Sequence, residues 1–107
     1  NMAVTFEDLE FKPHSVAEGG VQAQLQIGKF ELSVVDMKGS GPMYEVAIFA
    51  NGNFVQLPEI HPNYGEEGSD DVIHYQTADK ITEIIKKITQ INLDFVEIFG
   101  QPEMDFR

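Results

Sequence analysis

The sequence contains no cysteine. That removes disulfides, thiolate nucleophiles and cysteine metal sites at once, so the fold must be held by packing, as suits a reducing interior. No apolar run approaches the roughly 18–20 residues that span a bilayer, and the first residues lack the basic-then-apolar pattern of a secretory signal. Asn1 stands ahead of Met2; the natural chain is expected to start at Met2 and to be soluble and intracellular. Basic residues are scarce: 7 Lys and Arg face 18 Asp and Glu, for a net charge of −11. None lies between Lys38 and Lys80, a stretch that carries Glu45, Glu59, Glu66, Glu67, Asp70, Asp71 and Asp79. Such a field repels phosphate, which argues against direct nucleic-acid binding and makes a basic protein the natural partner. The blander consequence is solubility, which acidic surfaces give many small proteins.

What is there suffices for one domain. The chain has 107 residues, of which 42% are apolar, enough for a single core. Its organising stretch runs from Val21 to Leu57. In Val21-Gln22-Ala23-Gln24-Leu25-Gln26-Ile27 apolar residues alternate with glutamine, the period of a strand with one wet face. From Phe30 the apolar set moves to even positions, which one unbroken strand forbids because a one-residue slip turns every side chain over. Gly28-Lys29 as a type II′ turn resolves the conflict, pairing Ile27 with Phe30, Leu25 with Leu32 and Ala23 with Val34.

Treating residues 38–42 as a loop pairs Met37 with Met43, Val34 with Val46 and Leu32 with Ile48. Asn51-Gly52 then suits a type I′ turn, in which both central residues need positive φ. It pairs Phe49 with Phe54, Ile48 with Val55 and Val46 with Leu57. The expected fold is α+β: a four-stranded antiparallel meander (about 20–27, 30–37, 43–50 and 53–57) covered on one face by a C-terminal helix (about 77–91). Ile81, Ile84, Ile85, Ile88 and Ile91 form the helix's apolar stripe. Thr77 is its cap, Asp79 suits the first turn, and Glu83 is placed to pair with Lys87.

Outside this unit, residues 1–19 read as an N-terminal strand and connector, with Val4 to Phe11 the extra strand. Residues 58–76 read as an acidic loop, mobile between Pro58 and Asp71, and residues 92–107 as a C-terminal segment. The run through Tyr44-Glu45-Val46-Ala47-Ile48, the Asn51-Gly52 turn, and Asp70-Asp71-Val72-Ile73-His74-Tyr75-Gln76-Thr77 resembles a family of small uncharacterised proteins of tailed, cyanophage-like bacteriophages. In that family a hairpin ending in "YEVAV" and a "DDV-x-x-Y-x-T" segment precede a C-terminal helix. The likeness runs from about Gly28 to Gln90; the loop from Glu59 to Ser69 is longer here, and the ends have no counterpart. The resemblance implies a phage or prophage context, in the cytoplasm of an infected bacterium or in a virion, and carries no activity to any position.

Chemistry finds little support in the pattern. The three histidines, His14, His61 and His74, lie in no catalytic motif. Gly39-Ser40-Gly41 lacks the strand-turn-helix context of a nucleophile elbow, and no phosphate-binding glycine loop is present. Glu59, His61, Glu66, Glu67, Asp70, Asp71 and His74 crowd one loop, yet their spacing fits no EF-hand and only weakly a zinc site. No catalytic residue, metal ligand or cofactor is therefore expected. His74 beside Tyr75 reads as helix-entry packing, its ring hydrogen-bonded to a neighbour, with pH sensing weighed on a par with a metal.

The outer sheet face is the more informative feature. Gln22, Gln24, Gln26, Glu31, Ser33, Val35, Glu45, Ala47 and Gln56 share it with the Phe49–Phe54 pair. Leaving such rings in water costs about 1.5–3 kcal/mol each relative to burial. The chain's own Phe95, Val96, Ile98 and Phe99, or its N-terminal strand, are expected to cover them, with a homodimer through this face next. The residues expected to form a protein-contact surface are Phe49, Phe54, Glu66, Glu67, Asp70 and Asp71. The function expected is a non-enzymatic protein-binding module acting on a host or phage protein. The alternatives are a self-associating assembly accessory and an acidic mimic of nucleic acid.

Overall fold

The computed structural model describes residues 3–100. Its centre is the expected meander: β2 (Val21–Ile27), β3 (Phe30–Asp36) and β4 (Tyr44–Ala50), all antiparallel neighbours. The register is Ile27 opposite Phe30, Leu25 opposite Leu32, and Ala23 opposite Val34, continuing with Leu32 opposite Ile48 and Val34 opposite Val46. At the first turn only Gly28 has positive φ (58°), as a type II′ turn requires. At Asn51-Gly52 both residues have it (54° and 79°), the signature of type I′.

Two strands join this centre at places the sequence pattern did not give. The segment Val4 to Phe11 is no strand; it holds a 3-10 turn at Phe6–Asp8, and the added strand is the short β1 (Lys12–Pro13), paired with Val21 and Gln22. The expected fourth strand shrinks to β5 (Asn53–Phe54), with one further ladder bond from the Val55 amide to the Ile48 carbonyl at 2.9 Å. Val46 does not meet Leu57. It faces Ile73 of β6 (Ile73–Gln76), which takes the edge of β4 that β5 leaves free. The Leu57 amide explains the change, because it donates to His61 Nδ1 at 2.9 Å and is lost to any ladder.

The helix α1 (Ala78–Phe99) starts where expected: Thr77 Oγ1 accepts from the Lys80 amide at 3.2 Å, and Asp79 lies in the first turn. It runs two turns beyond Ile91 to Phe99 and ends at Gly100 (φ 83°). The Glu83–Lys87 pair does not form; Lys87 donates instead to the Glu59 carbonyl at 2.9 Å. The added turns are fixed by the β2–β3 turn. Asn92 Oδ1 accepts from the Lys29 amide at 3.3 Å, and the Lys29 ammonium lies 3.9 Å from the centre of the Phe95 ring. A Cβ at Gly28 would collide with the Asn92 side chain, so close approach and positive φ both select glycine there.

The core lies between the inner sheet face and the helix. Leu32, Val34, Val46, Ile48, Ile81, Ile85 and Ile88 are buried together, with Phe30, Leu57, Ile73 and Ile84 around them. Phe6 and Phe11 close one end by stacking on Tyr44, with ring centres 5.0 and 5.6 Å away, and the Phe6 amide donates to Thr82 Oγ1 on the helix. Phe6 and Phe11 of the N-terminal segment thus pack on the inner face, while His14 of the same segment reaches the outer one.

Candidate functional site

The outer face is partly covered, with Ser33 and Ala47 buried and Phe49 half-buried. Phe49 and Phe54 stack with ring centres 4.6 Å apart, placed opposite each other by the type I′ turn. Phe54 remains 51% exposed, while Ile98 and Phe99, expected to cover it, are each 71% exposed on the helix at the other side of the sheet. Phe95 packs against Phe99 and beneath Lys29. The expectation that Phe95, Val96, Ile98 and Phe99 cover the pair is therefore wrong, because the segment after Ile91 continues the helix on the inner side; His14 of the N-terminal segment and Val72 flank the rings instead, leaving Phe49 half-buried and Phe54 half-exposed.

The two rings line a groove of about 220 Å³ together with Val35, Ala47, Val72 and His14. A second groove of about 370 Å³, lined by Pro42, Met43, Tyr44 and Tyr75, shares the residues Val35, Met37 and Glu45 with it. Met37, Met43 and Tyr75 are 51%, 47% and 80% exposed. Flexible thioethers and aromatic rings adapt to apolar side chains of another molecule, and Glu45 supplies a carboxylate where the grooves meet.

The loop before β6 is a chain of turns and not the loose excursion expected. Buried His61 pins it: Nδ1 accepts from the Leu57 amide, and Nε2, the protonated nitrogen of a neutral ring, donates to the Asp71 carbonyl at 3.2 Å. Gln56 Nε2 donates to Asp71 Oδ1 at 3.0 Å and to the Ser69 carbonyl at 3.2 Å. These bonds bring Asp70 and Asp71 to the groove, since Asp70 Oδ1 accepts from the amide of the wall residue Val72 at 2.9 Å. Glu66 and Glu67 are exposed on the preceding turn, and neither lines the groove that holds the aromatic pair.

His74 lies between two carboxylates. Its Nε2 is 2.9 Å from Asp70 Oδ2 and its Nδ1 is 3.2 Å from Glu45 Oε2. Hydrogen bonding to Asp70, then to Glu45, raises the imidazole above its ordinary value. Asp70 is held below the usual carboxylate range by the Val72 amide first and His74 second. Because the carboxylates meet opposite edges of the ring, this is no chelating arrangement. Among the described residues no group of three His, Asp or Glu side chains is arranged to hold a metal ion. The sequence placed His74 near a hydrogen-bonding neighbour but gave no sign of Glu45 across the sheet; only the β4–β6 pairing connects them.

No family model, curated protein or solved structure matches the chain. No helix among the described residues is long and apolar enough to cross a membrane.

Proposed function

We propose that this protein is a non-enzymatic binding module whose outer sheet face engages a basic protein partner. The observation that carries the reading is the half-exposed Phe54, stacked on Phe49 in the lining of an outer-face groove. An open apolar strip rimmed by charge is the usual form of a protein contact site. The rim is acidic, with Glu45 and Asp70 beside it, and the whole chain carries −11. A Lys- or Arg-bearing segment with one or two apolar anchors complements both features. Each histidine is committed to structure: His61 and His74 as above, and His14 by accepting the Val16 and Ala17 amides on Nδ1. Each imidazole thus has a structural role, which favours binding over catalysis. The likeness to tailed-phage proteins supports a partner in an infected bacterium or a virion.

The test is capture from a lysate of phage-infected bacteria, comparing the natural chain with Phe54→Ser combined with Met37→Ser, and with Glu66→Ser combined with Glu67→Ser. Loss of the same partner in the first variant, retention in the second, and weakening by salt are the expected results. Capture indifferent to Phe54→Ser and Met37→Ser would remove the outer face as the contact surface.

A further inference from the structure

We propose that His74 is a protonation-dependent latch that closes β6 onto β4, and that loss of its proton loosens the Val72 wall of the outer-face groove. A neutral imidazole has one N–H donor and one lone pair, whereas an imidazolium has two donors. Both nitrogens of His74 meet carboxylate oxygens, at 2.9 and 3.2 Å, so the arrangement is satisfied only by the imidazolium. Once the proton leaves, one nitrogen presents a lone pair to a carboxylate and that contact must open.

The latch crosses an irregular join in the sheet. β4 and β6 are paired at Tyr44 with Gln76 and at Val46 with Ile73, with a register shift between. His74 and Tyr75 therefore face the single residue Glu45, a bulge in which the extra residue has no ladder partner. Tyr75 takes a left-handed conformation (φ 60°), uncommon for a non-glycine residue. The Glu45–His74 contact spans this gap from strand to strand, while the Asp70 contact ties the same ring to the turn that positions Val72. The charged groups facing the ring are Glu45 from β4 and Asp70 from the preceding turn, with the Tyr75 ring 6.2 Å away. Asp36, Lys38, Tyr44 and His14 share grooves with Glu45 but make no hydrogen bond or ion pair with His74. Both facing charges are negative, in keeping with the raised imidazole.

The latch stands on geometry alone; its effect on a partner rests on the binding reading above. The experiment is an NMR titration of the full chain without a partner, from about pH 5 to about pH 9, following the His74 ring and the Val72, Phe54 and Ile73 amides. The expected result is a His74 midpoint above ~6.5, the same midpoint in the Val72 and Phe54 signals, a lower midpoint in Glu45→Gln and in Asp70→Asn, and no step in His74→Gln. A midpoint at or below ~6.5, or amides that ignore it, overturns the latch. If the latch titrates as expected but partner capture, sensitive to Phe54→Ser, stays constant across that midpoint, the coupling to the groove is overturned and the binding reading stands. If capture ignores Phe54→Ser while the titration is intact, the binding reading alone falls.

Discussion

Asp36 closes the β3 strand on the buried side of the sheet, where a carboxylate survives only if its oxygens are met. Burial alone would raise its carboxyl, but the Gly41, Lys38 and Gly39 amides, helped by the Lys38 charge, hold it below the usual range. The Lys38 bond is 3.0 Å long, and the Gly41 amide meets the other oxygen. A group whose folded value is depressed adds stability above its unfolded value of ~3.9 and loses it as pH falls through the folded value. Urea unfolding at pH 7 should therefore place Asp36→Asn about 1–3 kcal/mol below the natural chain. That difference should shrink as the acid limb is entered, and a gap unchanged down to about pH 2 would contradict the role assigned to the charge. His61 is the second buried polar anchor, and its partners are both backbone groups. In His61→Ala the Leu57 amide loses its acceptor, so denaturant melting should show a loss of about 1–3 kcal/mol, with protease cutting first between Pro58 and Asp71.

At the scale of elements, turn chemistry was legible and edge assignment was not. Gly28-Lys29 and Asn51-Gly52 each prescribe one backbone geometry, and each fixed a register that the apolar alternation independently required. β6 was hidden because Ile73–Gln76 is short, carries a left-handed Tyr75 and alternates poorly. The helix looked finished at Ile91 because its isoleucine spacing stops there; what prolongs it is Asn92 and Phe95 docking on Lys29, tertiary contacts that no periodicity encodes. The consequence can be measured along one helix. Ile85 is 2% exposed and Ile98 71%. Ile85→Ala should cost about 2–5 kcal/mol, whereas Ile98→Ser should stay within about 0.5 kcal/mol of the natural chain. Equal losses at both positions would mean that the last two turns are packed against something the inner face does not supply.

For the whole molecule, charge and the open aromatic face pull in opposite directions. The sequence made the Phe49–Phe54 pair and the acid excess visible, and it placed Met37 and Met43 side by side. It could not show that Phe54 stays half-exposed, because that depends on the helix, Phe6 and Phe11 all choosing the inner side. Mutual repulsion of molecules carrying −11 opposes self-association through this face at neutral pH. Near the isoelectric point of about 4.4 that repulsion vanishes, and the apolar strip becomes the dominant surface. Light scattering over a concentration series should show monomers at pH 7 and growing assemblies near pH 4.4. The combined Phe54→Ser and Met37→Ser variant should remain dispersed at both. Assembly of that variant to the same extent would assign the adhesive surface to the exposed apolar residues of the last helical turns, Leu93, Ile98 and Phe99, which the natural chain also presents.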